Sequence, residues 1–118
     1  MKNPGIQISS DISTAYTLPS EFYRSQTWFD QTKDSIFARS WQCIGLESDA
    51  PLPGAVLPFP LMSDTLNEPL VLARAESGKL SCLSNVCTHR GNILAYEAGP
   101  CKQLRCRYHG RRFDLEGK

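Results

Sequence analysis

Cys87-Thr88-His89-Arg90-Gly91 and Cys106-Arg107-Tyr108-His109-Gly110 are the two stretches on which the reading of this 118-residue chain turns. Each offers one thiol and one imidazole, separated by one or two residues, and each is followed by a glycine where the backbone must turn sharply near a ligand. Such close spacing lets a short loop point both side chains at one centre. His89 and His109 are the only histidines in the chain. That both stand beside a cysteine, in two matched pairs, points to metal binding. Two buried thiols with two hydrogen-bonded core histidines is the bland alternative.

A Cys2His2 set also suits tetrahedral zinc, but zinc ligand pairs usually run C-x2–4-C and H-x3–5-H. Here each pair is mixed. The order Cys, His, Cys, His lets one cysteine from each loop bind one iron and one histidine from each loop the other. This is the Rieske arrangement, in which two histidines replace two cysteines on one iron of a 2Fe–2S centre. Two ferric ions and two sulfides give a +2 core, which two thiolates bring to neutrality, where four would leave −2. An electron enters a neutral centre more easily than an anionic one. Rieske potentials accordingly run from roughly −150 to +300 mV, against about −400 mV for plant-type ferredoxins.

Residues 41–118 resemble the N-terminal Rieske domain of the large (alpha) subunit of ring-hydroxylating Rieske non-haem iron oxygenases. The resemblance rests on Trp41 with Gly45, Glu68-Pro69-Leu70-Val71-Leu72-Ala73-Arg74 and Gly78-Lys79-Leu80. It continues through Asn85-Val86-Cys87-Thr88-His89-Arg90-Gly91, Cys106-Arg107-Tyr108-His109-Gly110, Phe113-Asp114 and Gly117. It implies a mainly β fold, a Rieske-type antiparallel sandwich or barrel with a two-loop cluster-binding subdomain and a short N-terminal helical segment. It also implies a cluster held by Cys87, His89, Cys106 and His109, with cluster loops near 85–95 and 104–112. Many relatives have Pro and Trp where this chain has Arg107 and Arg111. Cytochrome-complex Rieske proteins carry an extra disulfide, and the corresponding positions here are Asn92 and Tyr108.

Outward from these loops, short apolar segments alternate with turns, the pattern of an antiparallel β fold. Trp41 to Leu46, Ala55 to Phe59, Leu70 to Arg74, Leu80 to Leu83, Gln103 to Arg105 and Arg112 to Leu115 read as strands. Pro58 and Pro60 place the second of these at an edge. Glu76-Ser77-Gly78-Lys79 is a hairpin signal. Residues 1–18 read as a polar arm and 19–40 as a helical lead-in whose signals begin near Pro19-Ser20-Glu21. The clearer helix runs from Thr27 to Ser40, with Thr27 and Asp30 as a capping box. Phe29, Ile36 and Phe37 would form its packing face. Cys43 and Cys82 read as small core residues, and Cys101 as a turn residue without ligand signals.

Hydrophobic residues are 41% of the chain and charged residues 21%, which fits one compact domain. A net charge of +1 gives no global signal for nucleic acid. No run is long enough to span a membrane, and Met1-Lys2-Asn3-Pro4-Gly5 does not open a secretory signal. An odd number of cysteines, five, excludes complete disulfide pairing. The expected location is the reducing cytoplasm.

The family's oxygenases hold a further mononuclear iron through two histidines and a carboxylate. With both histidines committed, this chain has no catalytic residues of its own, and the resemblance makes it the front part of a longer subunit, cut short after the second cluster loop. A stand-alone Rieske ferredoxin and a zinc-binding structural module are the competing readings. The implied partners are a reductase or ferredoxin as electron donor and the parent's catalytic non-haem iron domain as acceptor, within an oligomeric parent. Arg90, Lys102, Arg105, Arg107, Arg111, Arg112 and Lys118 crowd the cluster segment, either as an electropositive docking face or as ordinary solvated surface.

Overall fold

The computed structural model describes residues 6–118. The chain divides into two compact units, Met1–Gln42 and Cys43–Lys118.

In the first unit, turns over Pro19–Arg24 lead into one short helix, α1 (Gln26–Ser35). Its N-cap is Ser25, whose hydroxyl accepts the Trp28 N–H at 3.4 Å. This corrects the expected start at Thr27. Ser25 stands three residues before Trp28, so its oxygen satisfies a first-turn N–H that would otherwise lack a partner. Asp30 is no capping partner; it accepts from the Gln26 side chain and pairs with Lys33. The helix also ends earlier than the pattern implied. Ile36 caps the helix, its N–H donating to Thr32 O, and a single 3-10 turn, Phe37–Arg39, follows. The expected packing stripe is not buried either: α1 buries no residue, and Phe29 and Ile36 are exposed. The aromatic contact formed instead is Phe22 against Trp28, with ring centroids 5.4 Å apart.

The second unit is antiparallel β. β1 (Ala55–Leu61), β2 (Glu68–Arg74), β3 (Leu80–Ser84) and β4 (Gly99–Pro100) form one sheet in the order β3-β2-β1-β4. A second, two-stranded sheet joins β5 (Leu104–Arg105) to β6 (Arg112–Phe113). The mainly antiparallel β class read from the sequence, with one short helix, is what the chain adopts. One expected strand is missing, since 41–46 has no ladder partner among the described residues. Trp41 is wholly exposed there, and the Leu46 N–H is taken by the Asp49 carboxylate at 2.8 Å. An alternating pattern without a neighbouring backbone to pair with does not make a strand.

Register explains the core. β2 is central, pairing Val71 with Pro58 on one side and Leu83 on the other. Because side chains alternate across a strand, Val71, Ala73 and Ala75 turn to one face together. All three are buried there with Val56, Leu94, Leu104 and Leu115, and Leu83 packs against them. The same parity sends Cys82 outward. It lies beside Leu83, opposite Leu72, and is exposed. Cys43 is exposed as well, so neither thiol is the core residue expected. Pro58 and Pro60 behave as edge residues although β1 lies inside the sheet order. β4 reaches only Ala55 and Val56, leaving that side of β1 open beyond them. Among the described residues, no helix is long and apolar enough to cross a membrane.

Candidate metal centre

Both cysteine–histidine loops rise from the core end of these sheets, and their backbones follow one pattern. In the first, the Cys87 N–H donates to Asn92 O (2.8 Å) and the Gly91 N–H to Cys87 O (3.0 Å). In the second, the Cys106 N–H donates to Arg111 O (2.8 Å) and the Gly110 N–H to Cys106 O (2.9 Å). Each turn therefore closes five residues after its cysteine. Each passes through a glycine in the left-handed region, Gly91 at φ +71° and Gly110 at φ +76°. Side chains are disfavoured there, which is why a glycine follows each histidine within two positions.

Different devices hold the bases of the two loops. The second is the tip of the β5–β6 hairpin, clamped by the pairs Leu104–Phe113 and Arg105–Arg112. The first depends on Asn85, the one buried polar residue among those described, at 4% exposure. Its amide Nδ2 donates to Ala95 O (2.7 Å) and its Oδ1 accepts the Ala95 N–H (2.8 Å), while its own backbone N–H donates to Pro69 O. Asn85 thus ties the loop to itself and to β2. Sequence reasoning quoted Asn85 within a motif but gave it no role. A polar residue at the end of an apolar strand, two positions before the loop cysteine, was the available signal.

The four predicted site residues come together in two layers. Cys87 and Cys106 are buried, at 1% and 2% exposure, inside the hydrophobic core. His89 and His109 are exposed above them, with ring centroids 4.8 Å apart and planes at 65°. Tyr108 stacks on His109 at 3.8 Å. The backbone N–H groups of His109 and Tyr108 hold the Cys106 thiol below its ordinary pKa, with smaller help from the Cys87 and Asn92 side chains and against the effect of burial. N–H groups aimed at sulfur favour thiolate, the form that binds metal.

This donor set fits a centre of two metals. Two buried thiols and two exposed imidazoles could offer two donors to each of two positions. All five cysteines are free thiols. Cys101 is half-buried, its sulfur donating to Gln103 O at 3.0 Å, and Cys43 and Cys82 are exposed, so all three are otherwise disposed. One concavity, about 730 Å³, lies away from the histidines, between Ala75–Ser77, Cys101–Lys102 and Asp114–Glu116, and another, about 640 Å³, is lined by Arg105, Cys106, Arg107, Tyr108, His109 and Gly110.

Comparison with known proteins gives the same picture. Residues 40–118 match the family model of the Rieske [2Fe-2S] domain. The chain is 34% identical over 104 residues to the carnitine monooxygenase oxygenase subunit of Acinetobacter baumannii, covering 87% of this chain and 27% of that protein. It is 32% identical over 102 residues to the biphenyl dioxygenase subunit alpha of Metapseudomonas furukawaii, covering 86% of this chain and 21% of that one. Among solved structures, the quaternary ammonium Rieske monooxygenase CntA in complex with L-carnitine superposes with a TM-score of 0.74. That match has 32% identity over 86% of this chain and 28% of CntA. The chain thus spans about a quarter of the length of the curated relatives it matches. A Rieske-type 2Fe–2S cluster is the cofactor that such a domain carries, and the buried thiols beneath paired imidazoles suit it. With the family model covering two-thirds of its length and the loops built alike, this chain belongs to the Rieske [2Fe-2S] domain family.

Proposed function

We propose that Cys87 and Cys106 ligate one iron of the cluster, that His89 and His109 ligate the other, and that the chain is the electron-entry domain of an oxygenase large subunit. The observation that carries this reading is the layering: two thiols buried in the core beneath two exposed imidazoles, on loops with the same backbone hydrogen bonds. When bound, the cluster supplies a reversible one-electron couple. The chain's own residues do the rest. The buried cysteines keep water from the sulfur side, the N–H groups of Tyr108 and His109 support thiolate at Cys106, and the exposed imidazole edge is the way in and out for an electron.

Relatives that are oxygenase subunits, matched along about a quarter of their length, support placing this chain at the front of a longer protein. Its donor would be a reductase or ferredoxin and its acceptor the catalytic non-haem iron domain of an oligomeric parent, in a reducing cytoplasm that keeps five thiols free.

Anaerobically purified protein tests this by visible absorption and low-temperature EPR, before and after dithionite, with iron and sulfide assays. A reddish-brown oxidised form, about two irons and two sulfides per chain, and a reduced signal of low average g are expected. Stoichiometric zinc without sulfide would refute the reading.

A further inference from the structure

Charge is distributed unevenly along this chain. Residues 87–113 hold six basic side chains and one acidic, a net of +5, while the whole chain is +1 and the remainder therefore −4. The arginines also differ in use. Outside this segment, Arg24, Arg39 and Arg74 all donate hydrogen bonds, Arg74 to Ala50 O, Gly78 O and Glu47. Among the described residues, Arg90, Arg105, Arg107, Arg111 and Arg112 are exposed, and none donates a side-chain hydrogen bond or forms an ion pair.

Two of these guanidinium groups are nevertheless held in place. Arg107 lies over the Tyr96 ring at 4.7 Å and Arg111 over Phe113 at 5.3 Å. Stacking on a ring orients a guanidinium while leaving its N–H fork unspent, and that fork matches a carboxylate. Arg90 stands at the tip of the other loop, next to His89. Tyr96 and Tyr108, both at least half exposed, lie among them. Arginine and tyrosine are the residue types enriched in protein interfaces.

We propose that Arg90, Arg105, Arg107 and Arg111 form a docking collar around the His89–His109 edge for an acidic protein that donates single electrons. A hollow of about 640 Å³ is lined by Arg105 to Gly110 of the second loop alone, whereas Arg90 stands on the other loop, so a ligand that engages the whole collar is an opposing protein surface rather than a small anion held in one hollow. The transfer moves one electron from the donor protein, oxidised by one equivalent, to the centre held by this chain, reduced by one, and no bond forms or breaks. The proposal rests on the cluster assignment above and adds the partner's charge and the residues that read it.

The test is stopped-flow reduction of the cluster-loaded chain by a reduced, acidic plant-type ferredoxin as ionic strength rises from about 20 to 500 mM, where screening shortens from beyond 20 Å to a few ångströms. The rate should fall at least tenfold, a dependence typical of steered association. The double variant Arg107→Gln/Arg111→Gln should be at least threefold slower at low salt and converge with the unmodified chain at high salt. Lys79→Gln, a distant loss of the same charge, should change the rate less than twofold. Photoreduced deazaflavin, a neutral donor, should reduce all of them alike. A salt-independent rate, or a double variant equal to the unmodified chain, overturns the docking collar. If the double variant loses its cluster, Arg90→Gln repeats the comparison on the other loop, and equality there is equally fatal. A chain that takes up no iron and sulfide removes the cluster assignment itself, a result distinct from salt-independent reduction of an intact centre.

Discussion

Replacing Asn85 with alanine tests whether the first cluster loop is held as its geometry implies. The substitution removes two hydrogen bonds, to Ala95 O at 2.7 Å and from the Ala95 N–H at 2.8 Å, and touches no ligand. A typical intramolecular bond contributes about 1 kcal/mol net, and a fully buried group left unpaired costs about 1–3 kcal/mol more. Ala95 is only half-buried, so water reaches part of what is freed, and the total should be about 2–3 kcal/mol. If the cluster is lost through local opening of this loop, that energy corresponds to a roughly 30- to 150-fold faster loss, at tenfold per 1.4 kcal/mol. The assay is first-order bleaching of the visible band under chelator at fixed temperature. Asn85→Asp, which keeps an acceptor for the Ala95 N–H but sets a carboxylate against Ala95 O, should fall in between. Bleaching within threefold of the unmodified rate for Asn85→Ala would refute the claim that this amide closes the loop.

Iron and sulfide assays on Cys87→Ser, Cys106→Ser, His89→Ala and His109→Ala should show loss of the centre, whereas Cys43→Ser and Cys82→Ser should retain it, because both those thiols are exposed and outside the loops. Gly110→Ala should cost about 1 kcal/mol in chemical denaturation, from its φ of +76° alone, since an added Cβ meets nothing nearer than Arg105 at 3.8 Å; a cost above about 3 kcal/mol would show a clash the backbone does not predict. Val71→Ala, in the fully buried centre of β2, should cost about 2 kcal/mol, against less than about 0.5 for exposed Phe29→Ala. Asp114 has its pKa held below 3.8, first by the Lys118 backbone N–H and then by the Glu116 N–H, the Lys118 charge and the Gly117 N–H. A depressed folded pKa stabilises above the unfolded value, so this contribution should be complete above pH 3.8 and disappear as pH falls through the lower folded value. Acid titration of Asp114→Asn, followed by denaturation midpoints, should lack that component.

The candidate donors were legible without coordinates because metal ligation calls for particular residue types at close local spacing. Cys87 with His89 and Cys106 with His109 sit within three residues of each other, and a glycine after each histidine marks the turn. The hairpin around Gly78 and the strands β1, β2 and β3 were legible for the same reason, since alternation and turn residues act over a few positions. Helix boundaries were less so. Thr27 and Ser25 are both competent caps, and only the actual path of the backbone decides which oxygen meets an N–H.

What the sequence determined by itself is the local chemistry, which donors stand in which loop and where the chain turns. Tertiary structure alone decided the rest. A period of two says that Cys82 and Leu83 face opposite ways but not which of them faces the core, and the pairing of β3 with β2 resolves that. Nor does spacing say that thiols are buried while imidazoles are exposed, because burial depends on neighbours distant in sequence: Cys87 and Cys106 share one buried cluster with Val56, Val71, Leu94 and Leu104, while both imidazoles stay exposed. The roles of Asn85 and of five unpaired arginines follow from the same cause. Whether a polar side chain is spent on the fold or left for a partner is set by what the folded chain places within hydrogen-bond reach of it.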